Sequence, residues 1–191
     1  MEVSTLSIED LNTYATRVAN GIALIEKFRF ENLIREMTRI SKTGGTVFVA
    51  GNGGSFATAN HFVTDLSKKS HSSRLKAFAL GANQSLLTMI GNDLGFDKIF
   101  SEELTLHGSE GDLLVLLSAS GNSENLLFAA ERARKMSIKV IGVTGFDGGE
   151  LAQLADISIH IPSQIGEYAL IEDTHSIVCH YISFALRNRE F

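Results

Sequence analysis

Five short, nearly continuous apolar runs, each passing into a stretch with helical spacing, constrain this chain more than any other feature. The runs are Thr46–Ala50 (TVFVA), Ala77–Leu80 (AFAL), Leu113–Ser118 (LLVLLS), Lys139–Thr144 (KVIGVT) and Ile157–Ile161 (ISIHI). A strand with one wet face alternates apolar and polar residues, whereas a strand covered on both faces reads as a continuous run. Helical patterns near 56–69, 84–91, 96–106, 123–136 and 149–154 separate the runs. A last helix spans about Glu167 to Arg187, just after the lone Pro162. Strands alternating with helices predict an α/β fold: a parallel sheet covered by helices on both faces.

The first 43 residues read differently. They hold one Gly and two amphipathic patterns: Leu11, Tyr14, Val18, Ile22 and Ile25, then Phe30, Leu33, Ile34, Met37 and Ile40. Steps of three and four are the helical signature, and Ser7 with Asp10 three residues on predicts the first N-cap. Two such helices need a surface to cover, on the domain behind them or on another subunit. At 191 residues, with no linker or low-complexity segment, the chain reads as a single domain over 1–191. Residues 1–43 would form a helical extension, and 44–191 the α/β core with its C-terminal helix.

Charge narrows the partners. Seventeen Lys+Arg against twenty-two Asp+Glu give a net charge of −5, which argues against a general grip on nucleic acid or an anionic membrane. A local anion site remains open. The single Cys179 cannot form an intrachain disulfide, so a reducing, cytoplasmic setting is expected. Residues 1–10 carry no basic segment with a long apolar run, and no stretch approaches the ~18 apolar residues of a membrane span.

Seventeen glycines against one proline direct attention to the loops after the first and third runs. Gly51-Asn52-Gly53-Gly54-Ser55 lets a ligand approach the backbone and aims the N–H groups of the next helix at it. Ser118-Ala119-Ser120-Gly121-Asn122-Ser123 adds hydroxyl donors and a second helix start. Amides and hydroxyls suit a phosphate monoester without Lys or Arg. Either loop alone is equally a tight turn and cap; two in one small sheet favour a site. The dinucleotide fingerprint fails, because Phe56 stands where its third Gly belongs and AFAL ends without an acidic residue. The G-K-[ST] of a P-loop is absent, and Ser118 replaces the first Gly that a nucleophile elbow around Ser120 needs.

Two polar sets lie on predicted helices. His61 and Asp65, four apart, share one face and suit two metal ligands or a base with its partner; a solvated ion pair is the plainer reading. Glu172 and His180 on the last helix are eight apart, about 12 Å along its axis, so they barely converge on one atom. His180 lies in a mostly apolar stretch, where a satisfied core histidine is the commoner case. Asn92-Asp93 follows a short helix and reads as turn chemistry, with a contact to sugar hydroxyls as the alternative.

Taken together, GNGGS-x5-HF-x2-D, IGNDLGFDKIFSEEL, LSASGNS, VIGVTGFDGGELAQLADISIHIPS and IEDTHSIVCHYI resemble the sugar isomerase (SIS) domain proteins, and among them the phosphoheptose isomerase family. The resemblance covers nearly the whole chain, and the order of the motifs carries it. It implies a three-layer αβα sandwich with a flavodoxin-like parallel sheet. It also implies a homotetramer with active sites between subunits, and conversion of sedoheptulose 7-phosphate into D-glycero-D-manno-heptose 7-phosphate through an enediol, on the way to surface polysaccharide. Residue by residue, it implies that Asn52, Gly53, Gly54 and Ser55 meet the substrate. Ser118, Ser120 and Ser123 would hold its phosphate, with Asn92 and Asp93 near the sugar chain and Ala119 and Glu172 also at the substrate. His61, Asp65, Glu172 and His180 would bind a divalent metal of zinc type. Asp65, or Glu172, would be the base and His180 the acid. Two departures stand out: the family usually has Glu at position 65 and Gln at position 172. Some members of the fold have lost catalysis and serve as phosphosugar-binding or regulatory proteins. Those tend to lose the second histidine and the acidic residue, and this chain keeps both kinds.

Overall fold

The computed structural model describes residues 9–68 and 75–187. Two helices lead, α1 (Leu11–Ala23) and α2 (Lys27–Thr43). Strands and helices then alternate: β1 (Thr46–Gly51), α3 (Gly53–Leu66), β2 (Lys76–Ala79) and α4 (Gln84–Asp93). A single 3-10 turn, Phe96–Lys98, precedes α5 (Ile99–His107). The chain continues through β3 (Leu113–Ser118), α6 (Glu124–Lys135), β4 (Lys139–Thr144), the short α7 (Leu151–Leu154), β5 (Ile157–His160) and α8 (Tyr168–Arg187). All five expected strands form, and every pairing is parallel, in the order β2-β1-β3-β4-β5. This is the flavodoxin-like order.

The central strand β3 shows why the runs are continuous. Leu113, Val115 and Leu117 join one core, while Leu114 and Leu116 join the other. The first core is closed by Leu33, Ile34, Met37 and Ile40 of α2, Phe62 and Leu66 of α3, and Val178 and Ile182 of α8. The second is closed by Ile90 of α4, Phe100 and Leu104 of α5, and Leu126 and Ala129 of α6. The molecule is thus a three-layer αβα sandwich. Helix α2 belongs to one of its layers, and α1 lies outside, against α8. Tyr14 donates to Asp173 at 2.8 Å there, and Arg17 pairs with Glu167. Each fully buried Leu, Val, Ile or Phe contributes roughly 1.5–3 kcal/mol.

Some boundaries differ from expectation. Asp10, not Ser7, caps α1, accepting from the Asn12 and Thr13 amides at 2.9 and 3.0 Å; Ser7 lies outside the described residues. The predicted helix over 84–91 runs on to Asp93, so Asn92 and Asp93 are its last two residues rather than a turn. Asn83 caps its start, accepting from the Leu86 amide at 3.2 Å. The pattern over 96–106 divides into the 3-10 turn and α5.

One core residue invites a stability measurement. His175 of α8 is fully buried, and its ring nitrogens meet no partner in hydrogen-bond geometry among the described residues. Burial, only partly offset by the Thr144 backbone, pushes its pKa from 6.5 down to about 4. Between these values the unfolded chain holds a proton that the folded chain refuses. Stability therefore falls as pH drops from about 6.5 to about 4, by on the order of 3 kcal/mol in total. Urea unfolding across that range should show a steeper loss for the natural chain than for His175→Leu; parallel profiles would contradict this.

Candidate active site

Strands β1 and β3 are neighbours, yet the chain leaves them on opposite sides of the sheet: β1 is followed by α3 in one layer, β3 by α6 in the other. A crevice opens between the two loops at this switch point. Gly51 closes the first loop tightly, since a Cβ there would lie 2.7 Å from the Ser55 backbone. Gly53 holds φ +53, a left-handed conformation that favours glycine. The second loop folds on its own hydroxyls. Ser118 Oγ accepts from the Gly121 amide at 3.0 Å, and Ser120 Oγ from the Asn122 amide at 3.2 Å. Each hydroxyl keeps its own hydrogen to donate. Ser123 stands at the start of α6 without a side-chain cap bond, so its hydroxyl is also available.

Between the loops lies a cavity of about 140 Å³, lined by Asn52, Ser55, Ser118, Ala119, Ser120, Ser123 and Glu172 among the residues expected from sequence. Among the described residues, no Lys or Arg lines it. Converging hydroxyls at two helix N-termini make a cradle for an anion of phosphate size. Gly54 does not line the cavity; it makes room beside it. A Cβ on Gly54 would meet the Glu172 carboxylate at 2.3–2.4 Å.

Two residues that sequence reasoning missed complete the cradle. Asn125 exchanges reciprocal amide hydrogen bonds with Asn52, 2.9 and 3.0 Å, and so ties the two loops together. Tyr168, at the start of α8, lines the cavity beside Glu172. Asn92 and Asp93 are not brought in: both are exposed, Asn92 donates to Asp93 at 2.7 Å, and neither lines this cavity.

A second cluster lies farther along α3 and α8. His61 Nε2 and His180 Nε2 are 3.1 Å apart. Asp65 Oδ2 lies 3.4 Å from the first and 3.8 Å from the second. The imidazoles are about half exposed, but the Asp65 side chain is only 4% exposed. Burial pushes the Asp65 carboxyl up. The hydrogen bond and charge of Lys68, with the two imidazoles, outweigh this and hold it below its ordinary value of 3.8. Two ring nitrogens this close need a proton on one ring or a cation between them. Three ligand atoms within 4.8 Å of one another can hold such a cation. Glu172 does not join them. The quartet expected from the resemblance appears as a trio, because eight residues of helix place Glu172 about 12 Å along the axis from His180.

The SIS domain model matches residues 12–145. Phosphoheptose isomerase from Rhodospirillum rubrum is 43% identical over 76% of this chain and 78% of its own length. The chain belongs to the SIS domain family, among the phosphoheptose isomerases. Solved structures agree. Phosphoheptose isomerase from Francisella tularensis superposes with a TM-score of 0.85 at 30% identity, covering 93% of this chain and 96% of that one. The Neisseria gonorrhoeae phosphoheptose isomerase gives 0.82 at 32%, covering 90% and 92%.

In this SIS domain, Gly54 lies inside α3 with an ordinary helical φ, so a methyl group there is no backbone burden. Gly54→Ala should leave stability unchanged or raise it by about 0.5–1 kcal/mol. It must move Glu172 out of the cradle, so KM for a phosphosugar should rise. Thermal unfolding and steady-state kinetics separate the two effects; unchanged KM would contradict the contact's role.

Proposed function

We propose that the chain is an aldose–ketose isomerase acting on sedoheptulose 7-phosphate, giving D-glycero-D-manno-heptose 7-phosphate. The observation that carries this reading is an acid–base cluster set along α3 and α8 about two turns from an anion cradle. Gly54 and His61 are seven residues apart on α3, about 10 Å of axial rise. With C–C bonds of about 1.5 Å, an extended sugar from phosphorus to C2 spans roughly 8 Å. A phosphate in the serine loop therefore sends the carbonyl end towards His61, Asp65 and His180.

On this reading Ser118, Ser120 and Ser123 and the amides of residues 53–55 and 119 hold the phosphate. Asn52 orders the loop through Asn125, and Glu172 faces the sugar chain. Asp65, ionised and shielded from water, takes the proton from the carbon beside the carbonyl. His180 donates to the carbonyl oxygen, giving a cis-enediol, and the proton returns at the neighbouring carbon. Asp65 is preferred to Glu172 as the base because Glu172 sits at the phosphate end. Asn92 and Asp93 remain candidates for sugar contacts in the assembled protein.

As an alternative to this acid–base role, the trio fits a divalent ion, which would engage Asp65 Oδ2 and the two ring nitrogens as ligands. A tetrahedral zinc with bonds of ~2.0–2.1 Å sets its ligand atoms ~3.3 Å apart, close to the three separations between His61, Asp65 and His180. Such an ion would polarise the carbonyl and leave a coordination position for substrate. Two imidazoles and one carboxylate suit zinc.

We read 1–191 as one domain that works as a homotetramer with sites between subunits. Support comes from half-exposed His61 and His180, with exposed Ile177 and Tyr181 beside His180 on α8. A subunit covering this surface would exclude water from the cluster. The trio's presence in full argues against the phosphosugar-binding alternative without catalysis.

Incubation with sedoheptulose 7-phosphate should yield the aldose, with solvent deuterium at the carbon beside the carbonyl. His180→Ala should reduce the rate by about 10²–10⁴-fold while phosphosugar binding persists. Binding with neither product nor exchange in the natural chain, with and without added zinc, would contradict the enzyme reading.

A further inference from the structure

The two oxygens of Asp65 have different partners. Oδ2 faces the imidazoles of His61 and His180. Oδ1 accepts from Lys68 Nζ at 2.5 Å. The Lys68 backbone amide also reaches the Asp65 carbonyl, at 3.4 Å. Residue 68 therefore holds residue 65 by main chain and side chain together, just beyond the end of α3. An ammonium there also meets the negative end of the helix dipole. The pairing follows from position: i and i+3 share a face of the helix.

Aspartate has one methylene fewer than glutamate, so its carboxylate reaches a fixed point from fewer side-chain torsions. Here that carboxylate is buried beside two imidazoles. A small rotation would carry Oδ2 away from both rings, or turn Oδ1 towards them as well. The bond from Lys68 fixes which oxygen points where.

We propose that Lys68 is a positioning residue for the His61–Asp65–His180 cluster: it occupies Oδ1 and so presents Oδ2 alone to a divalent cation. This rests on the metal reading of the trio. A carboxylate held to one oxygen keeps a three-ligand site from closing on itself, leaving a position for substrate. The charge of Lys68 acts in the opposite sense, repelling a cation, but the ammonium is half exposed and screened by water. Orientation dominates. Loss of the hydrogen-bond partner of a ligating carboxylate typically costs 10–100-fold in metal affinity.

Cobalt(II) titration of the full chain, read by visible absorption and by competition with a chromophoric chelator, tests this without reference to turnover. The natural chain should bind Co²⁺ and His61→Ala should not. Lys68→Met should bind at least about tenfold more weakly, with a changed visible spectrum. Lys68→Cys treated with an aminoethylating reagent regains an ammonium at nearly lysine's reach and should recover the natural affinity. Cys179 is spared, being buried with its thiol pushed up to about 12. Equal or tighter Co²⁺ binding by Lys68→Met overturns the proposal. So does loss of affinity that aminoethylation fails to restore, since the ammonium is then not the cause. A natural chain that binds no Co²⁺ overturns the metal reading and this inference with it, whereas failure of the Lys68 arms alone leaves the metal reading intact.

Discussion

The packing of α3 against α8 is the interaction on which the rest of the site depends. Gly54 meets Glu172 near the start of both helices, and His61 meets His180 about two turns later. The helices therefore run parallel and in register. Their inner faces supply Phe62 and Leu66, Val178 and Ile182 to one core, so the alignment is set by buried apolar side chains. The polar residues ride on the rim of this seam. A one-turn slip would bury charge and expose the core, and it would also separate the two histidines. Fold stability and site geometry are in this sense one constraint.

The same seam shows how an acidic chain can take a phosphorylated substrate. The cavity near the strand ends offers hydroxyls and helix N-termini and, among the described residues, no basic side chain. Negative charge at the site sits on Glu172, which lines that cavity, and on Asp65, which Lys68 pairs. The cradle and the histidine cluster, about 10 Å apart along the helix, can each keep their own electrostatics.

Much of this was legible because it is periodic or local. Continuous apolar runs predicted the buried parallel sheet, and the two Gly/Ser loops predicted where the switch point gathers. The helical spacing of His61 and Asp65 put them on one face before any contact was known. What escaped was long-range or conditional. Asn125 pairs with Asn52 across seventy-three residues, which no local pattern encodes. Lys68 belongs to none of the sequence motifs, and its pairing with the buried Asp65 shows only in the fold. Glu172 and His180 were correctly placed on one helix, but which of them reaches the cluster depended on the register of α8. Asn92 and Asp93 read as a turn because Gly-Asn-Asp favours one, yet the cap at Asn83 carries the helix through them.

The proposed function requires phosphate and reacting carbons to lie at opposite ends of the α3–α8 seam. A crystal structure of the protein with sedoheptulose 7-phosphate and zinc measures this directly. It should place phosphorus among Ser118, Ser120 and Ser123, and zinc on His61, Asp65 and His180 about 10 Å along the helices. Phosphorus at the histidines, or zinc held away from them, would contradict it.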